Sequence, residues 1–180
     1  MKALLTGVAL ATLTLGASAQ IYVGGNIGWA KISNSCEDGF SCKDNQVGYR
    51  AHIGYNDTAE IAAELGYLNF GSVKFDDGEG LRGKVKAHAV TVGLAFRKEF
   101  QPGLKGVLRV GAANVTSKLS ANNGFKEDNS TLEPHLGLGL EYTVMPNVQA
   151  TGALDATRGS TRTGDTGSVF LLSAGMQYQF

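Results

Sequence analysis

Eight stretches of this chain alternate apolar residues with small or polar ones at a period of two, and nothing else in the sequence constrains the fold as strongly. In residues 21–31, Ile21, Val23, Ile27 and Trp29 share one face, and Tyr22, Gly24, Asn26, Gly28 and Ala30 the other. Residues 46–56 set Val47, Tyr49, Ala51, Ile53 and Tyr55 against Gly48, Arg50, His52 and Gly54. Residues 60–70 set Ile61, Ala63, Leu65 and Tyr67 against Ala62, Glu64 and Gly66. In residues 86–97, Val90, Val92, Leu94 and Phe96 oppose Ala89, Thr91, Gly93 and Ala95. Residues 104–116 offer Leu108, Val110 and Ala112 opposite Arg109, Gly111 and Ala113. The most regular stretch, 133–142, alternates Pro134, Leu136, Leu138, Leu140 and Tyr142 with Glu133, His135, Gly137, Gly139 and Glu141. Residues 148–157 are weaker, with Val148, Ala150, Leu154 and Ala156 apolar, and residues 169–180 place Phe170, Leu172, Ala174, Met176, Tyr178 and Phe180 together.

The connections alternate in length. Residues 32–45, 71–85, 117–131 and 158–168 are long and polar, whereas 57–59, 98–103 and 143–147 are short. Long loops at one end and tight turns at the other describe an even-stranded up-and-down meander. Alternation alone leaves open which face is wet. A soluble up-and-down carrier turns its apolar face inward and needs a charged exterior. Here the second face is mostly Gly, Ala, Ser, Thr and Asn with isolated charges, which suits the narrow interior of an eight-stranded barrel. Glycine, 25 of 180 residues with only three prolines and no Gly-X-Y period, is the compositional outlier that such an interior accommodates. The expected fold is all-β: an eight-stranded antiparallel up-and-down transmembrane β-barrel, closed because an open edge in hydrocarbon would strand its amide groups. Tyr55, Phe96, Tyr142, Tyr178 and Phe180 then fall near the short-turn end, and Trp29, Tyr67 and Phe170 near the long-loop end, as two aromatic belts. Ordinary strand propensity would also favour these aromatics but does not account for their clustering at strand ends.

Residues 1–19 read as an address. Lys2 precedes a run without charge from Ala3 to Gly16, followed by Ala17-Ser18-Ala19, which are the parts of a secretory signal peptide; a buried N-terminal helix is the alternative. Cleavage after Ala19 leaves residues 20–180 as the barrel domain. With 16 basic against 16 acidic side chains, the chain is no strongly basic nucleic-acid binder.

Pro134-His-Leu-Gly-Leu-Gly-Leu-Glu-Tyr142, followed by Thr-Val-Met-Pro-Asn147, resembles the outer membrane protein A-like β-barrel family. Ile21-Tyr-Val-Gly-Gly25 and Ser173-Ala-Gly-Met-Gln-Tyr-Gln-Phe180 look like that family's first and last strands. The resemblance implies a bacterial outer-membrane location, with the membrane lipids as surroundings. It also implies that Tyr178 and Phe180 form the signal read by the barrel-assembly machinery. Nothing follows Phe180 in the sequence, so the peptidoglycan-binding domain of larger members is expected to be absent.

The inward phase carries Arg50, His52, Glu64, Arg109, Glu133, His135, Glu141 and Asp155. An Arg at the lipid-facing midplane costs roughly 2–4 kcal/mol, so these residues are expected in the lumen. There Arg50 and Arg109 should pair with Glu64, Glu141 and neighbours, either as a fixed plug or as a gate that admits small ions. Cys36 and Cys42, in the first long loop, should form a disulfide in an oxidising compartment, with two reduced thiols as the alternative. No metal or cofactor site is expected. His52, His88 and His135 are scattered over three strands, with no His-x-Ser segment of the kind a lipid deacylase would need. Gly24-Gly25 and Gly137-x-Gly139 lie within strands and are not phosphate loops. Two functions fit: a structural or weakly pore-forming barrel, and an adhesin binding a host or surface ligand through its long loops. Their mixed charges (Lys43, Asp44, Asp76, Asp77, Arg82, Lys126, Glu127, Asp128, Arg158, Arg162, Asp165) look like solvated surface.

Overall fold

The computed structural model describes residues 20–32, 45–76, 82–121, 126–160 and 166–180. They form eight strands: β1 (Ile21–Ile32), β2 (Asn45–Asn56), β3 (Ile61–Asp76), β4 (Arg82–Gln101), β5 (Leu104–Ala121), β6 (Lys126–Met145), β7 (Val148–Ser160) and β8 (Thr166–Gln179). Each strand pairs antiparallel with the next, and β1 pairs with β8 from Tyr22↔Gln179 to Ile32↔Val169, so the sheet closes on itself. Closure leaves no strand edge, the condition for a sheet in hydrocarbon.

Side-chain parity then sorts the residues. Ile27, Trp29, Val92, Leu138 and Leu172 are each more than half exposed on the outer wall, while Arg50, Glu64, Arg109, Glu141 and Asp155 are buried inside. A soluble domain has the opposite arrangement. Aliphatic side chains cover the outer wall in a continuous band, which matches a bilayer as solvent.

The strands run further than their alternation suggests. The third stretch, read as ending at Phe70, continues to Asp76. A bulge between Asn69 and Ser72 shifts its register, with Gly71 at φ 79° and its N–H donated to Asn69 Oδ1 at 2.9 Å. The bulge inverts the phase, so the sequence pattern breaks where the strand does not. β4 likewise begins at Arg82 and β5 and β6 meet as a ladder reaching Ser120↔Lys126, so the expected loops 71–85 and 117–131 are largely strand. Two of the short connections also tighten, while the one expected over 57–59 extends to 60. The turn expected over 98–103 narrows to Pro102-Gly103, with Gly103 at φ 80°, the left-handed residue that a Pro-Gly turn requires. The turn expected over 143–147 narrows to Pro146-Asn147, where Asn147 Nδ2 donates to the Gln179 carbonyl at 2.8 Å.

Glycines mark where neighbouring strands approach most closely. A Cβ on Gly28 or Gly175 would run into the backbone across the β1–β8 seam, and one on Gly93 or Gly111 into the backbone across β4–β5. Such close approach of neighbouring chains is where a barrel corner needs glycine.

Candidate functional site: the lumen

Inward parity brings charged residues from six strands together. Glu64 on β3 accepts four hydrogen bonds. Its Oε1 takes Tyr22 Oη of β1 at 2.7 Å and Arg97 Nη2 of β4 at 3.4 Å, and its Oε2 takes Arg50 Nη2 of β2 at 2.9 Å and Arg109 Nε of β5 at 2.8 Å. Glu141 on β6 receives Arg97 in a fork, Nε to Oε2 at 2.9 Å and Nη2 to Oε1 at 3.2 Å, and also Arg109 Nη2 at 3.5 Å. Asp155 on β7 accepts from His135 Nε2 at 3.0 Å and lies 3.8 Å from Arg50 Nη1. Three guanidinium groups thus face three carboxylates in a ring that ties the walls together. Burial makes such pairing obligatory, since an uncompensated ion in this surrounding is costly.

A second, neutral set completes the layer. His52 Nε2 lies 3.1 Å from Gln177 Oε1, and Gln177 Nε2 donates to Gln149 Oε1 at 3.0 Å. Asn26 Nδ2 donates to Thr151 Oγ1 at 2.9 Å. Toward the short-turn end the lumen opens into a cavity of about 450 Å³, lined by Gln149, Gln177, Gln179, Lys105 and Asn56 and floored by Arg97 and Glu141. Toward the long-loop end the filling changes to apolar: Ala30, Leu68, Phe70, Ala87, Ala89, Ala113, Val115, Val169 and Leu171 form one buried cluster.

Among the residues singled out from sequence, Arg50, His52, Glu64, Arg109, His135, Glu141 and Asp155 meet in this network, and Glu133 lies half-buried on the same inner face above His135. Arg97 and Tyr22 were missed. Arg97, taken as the last residue of its stretch, continues the inward parity of Ala89, Thr91, Gly93 and Ala95, and that parity would have found it. Its guanidinium also stacks 4.6 Å from the Tyr22 ring centroid. Trp29, Tyr55, Phe96, Tyr142, Phe170, Tyr178 and Phe180 all project from the outer wall, and Tyr67 is half-buried there between Tyr49 and His88, its ring centroid 5.9 Å from each. Tyr49 and Phe100 join the outward aromatics although the sequence reading did not include them. Tyr178 and Phe180 make an edge-to-face pair at 5.0 Å. Cys36, Cys42 and residues 1–19 lie outside the described residues.

A closed eight-stranded cylinder, lipid-facing outside and ion-paired within, defines a bacterial outer-membrane β-barrel. The family described as OmpA-like transmembrane domain matches residues 16–180, and the chain belongs to it. Outer membrane protein A of Shigella flexneri is 26% identical over 172 residues, covering 88% of this chain and 48% of that protein. The chain therefore spans about half the length of the curated relative it matches. The crystal structure of neisserial surface protein A superposes with a TM-score of 0.68 at 20% identity, over 92% of this chain and 99% of that one. Ail, the attachment invasion locus protein of Yersinia pestis, solved with the heparin analogue sucrose octasulfate, gives a TM-score of 0.61 at 18% identity, over 89% and 98%. At these identities the structural likeness concerns the fold.

Proposed function

We propose that this chain is a structural outer-membrane barrel, not an enzyme, whose lumen is closed to solutes by its own side chains. It is exported with residues 1–19 as a cleaved signal and inserted by the assembly machinery through the strand that ends in Tyr178 and Phe180. The observation that carries this reading is the filled lumen: Arg50, Glu64, Arg97, Arg109, Glu141 and Asp155 are all at most 8% exposed, and their charges balance in place. A pore lined for ion passage keeps its charges facing an open path; these face one another. Planar-bilayer recording of the purified barrel tests the reading. Membrane conductance should stay at the lipid baseline, and steady open channels in the wild-type protein would refute it.

A second reading is favoured by the Ail structure, whose sulfated ligand is a precedent for recognition by a barrel of this fold. Under it, the segments joining strands at the long-loop end bind a host or surface ligand. Deleting residues 34–43 should then abolish cell adhesion while leaving the gel mobility of the folded barrel unchanged. Adhesion that survives removal of each such segment in turn would exclude it.

A further inference from the structure

We propose that the permeation barrier is the apolar layer at the long-loop side of the lumen, and that the charged layer beneath it is hydrated from the short-turn side. The proposal deepens the closed-barrel reading by naming the residues that close it. Phe70 and Leu171 are fully buried, and Leu68 and Val115 are 1% exposed. These side chains come from β3, β5 and β8 and meet across the lumen, with the alanines of β1, β4 and β5 packed around them. On β2 the position facing them is Gly48, where a Cβ would lie 2.7 Å from Leu171 Cδ1. Thr157 of β7 turns its hydroxyl into the wall, donating to the Pro134 carbonyl at 3.0 Å, and so offers the layer no free polar group. On β6 the inward residue opposite Ala113 is Glu133, which is half-buried, so the dewetted part of the constriction is where Leu68, Phe70, Val115 and Leu171 meet, and there ions and water are excluded.

The layer below has the opposite character. Four of its buried polar atoms, Asn26 Oδ1, His52 Nδ1, Arg109 Nη1 and Asp155 Oδ2, have no hydrogen-bond partner among the described residues. The His52 case fixes a direction. Gln177 donates its amide nitrogen to Gln149, so its oxygen accepts from His52 Nε2–H, which leaves Nδ1 as a buried bare acceptor needing a donor. Buried groups of this kind are met by internal water. The side chains between that water and the short-turn end are polar: Gln149 and Gln177 line the 450 Å³ cavity there, and Gln177 is bonded to His52. The lumen is thus a compartment wetted from one side and sealed on the other, and breaking ion pairs alone does not open it.

Two sets of variants in planar bilayers with potassium chloride separate the layers. Phe70→Ser with Leu171→Ser should raise conductance about tenfold over wild type, because a polar ring no longer dewets. Arg97→Gln with Glu141→Gln should remain at the wild-type level. Folding of each is checked by the heat-dependent gel shift, and Leu68→Asn provides a milder substitution in the same layer if the double variant does not fold. Apolar-layer variants that fold and stay closed would overturn the proposal, as would a network variant that conducts by itself. Should the wild type conduct, the closed-barrel reading fails, while the ranking of the two sets still locates the barrier. In nanodiscs, magnetisation transfer from water should reach the side-chain protons of His52 and Arg109 but not the methyl groups of Leu68 and Leu171. Equal transfer to both sets would also overturn it.

Discussion

Replacing Glu64 by Gln tests whether the lumen network holds the barrel together. The carboxylate accepts from Tyr22, Arg97, Arg50 and Arg109 at 2.7, 3.4, 2.9 and 2.8 Å, and the residue is 8% exposed. Gln keeps the volume but loses the charge, and its amide nitrogen turns two donors toward guanidinium groups that are donors themselves. Three buried cations would then face only Glu141 and Asp155. Breaking a buried pair in this way costs roughly 3–5 kcal/mol, against at most about 1 kcal/mol for an exposed one. Reversible urea unfolding in lipid vesicles measures it, with Trp29 as reporter. It is the chain's one tryptophan, 67% exposed on the outer wall, so its emission shifts red when the barrel leaves the lipid. The unfolding midpoint should fall with little change in denaturant slope. Arg50→Gln combined with Glu64→Gln restores the charge balance and should recover part of the loss. A single Glu64→Gln variant within about 1 kcal/mol of wild type would show that these pairs hold the barrel together no better than exposed ones, and would refute the reasoning.

Three further outcomes follow from the wall and its ends. Leu138→Arg puts a charge on the lipid face and should lower stability by roughly 2–4 kcal/mol in the same urea assay. Gly111→Val places a Cβ against the Val92 carbonyl and 2.7 Å from Gly93 Cα, so the heat-dependent gel shift of the refolded barrel should be lost or strongly reduced. Phe180→Ala should lower the amount of barrel recovered in outer membranes of expressing cells while leaving refolding in detergent unchanged; equal recovery would remove Phe180 from the assembly signal.

The barrel was legible because hydrocarbon demands a strict alternation from every strand that crosses it, and Leu136, Leu138 and Leu140 supply it without interruption. Away from that demand legibility falls: in β3 Val73 and Phe75 alternate with Ser72, Lys74 and Asp76 but only across the register shift at the Gly71 bulge, and the first residues of β6, Lys126 to Ser130, carry no apolar parity to read. Inside the lumen, charged residues were visible because they stood out on a face of small ones. Tyr22 and Leu171 fell on the inner face by parity but did not stand out there, and Leu68 and Phe70 were not singled out, because an apolar residue in a barrel strand defaults to the lipid side. Only strict parity counting assigns them inward, and the Gly71 bulge ends that count immediately after Phe70. Arg97 shows a different gap: a charge at the last position of a stretch was not followed inward, though it is the fork that holds Glu141.

The glycine excess, first noticed as composition, becomes intelligible from what the lumen contains. An eight-stranded cylinder leaves room for side chains to fill the interior but not for eight large ones at one level. Several of the large inward groups are therefore matched by an inward position without a Cβ. The Tyr22 ring occupies the place of a Gly54 Cβ, and the His52 ring that of Gly24. A Cβ on Gly139 would lie 2.8 Å from Arg109 Nη1, and one on Gly137 would lie 3.0 Å from Asp155 Oδ1. Replacing these glycines by alanine would displace the groups that close the ion-pair ring, while the same exchange on the lipid face would displace nothing. Gly106 supplies the exception on the outer wall, where the Phe100 ring lies over the bare backbone. The two faces thus obey different rules: the outside asks mainly for apolar bulk, and the inside asks for bare backbone beside several of its large side chains, so specificity of structure resides in the lumen.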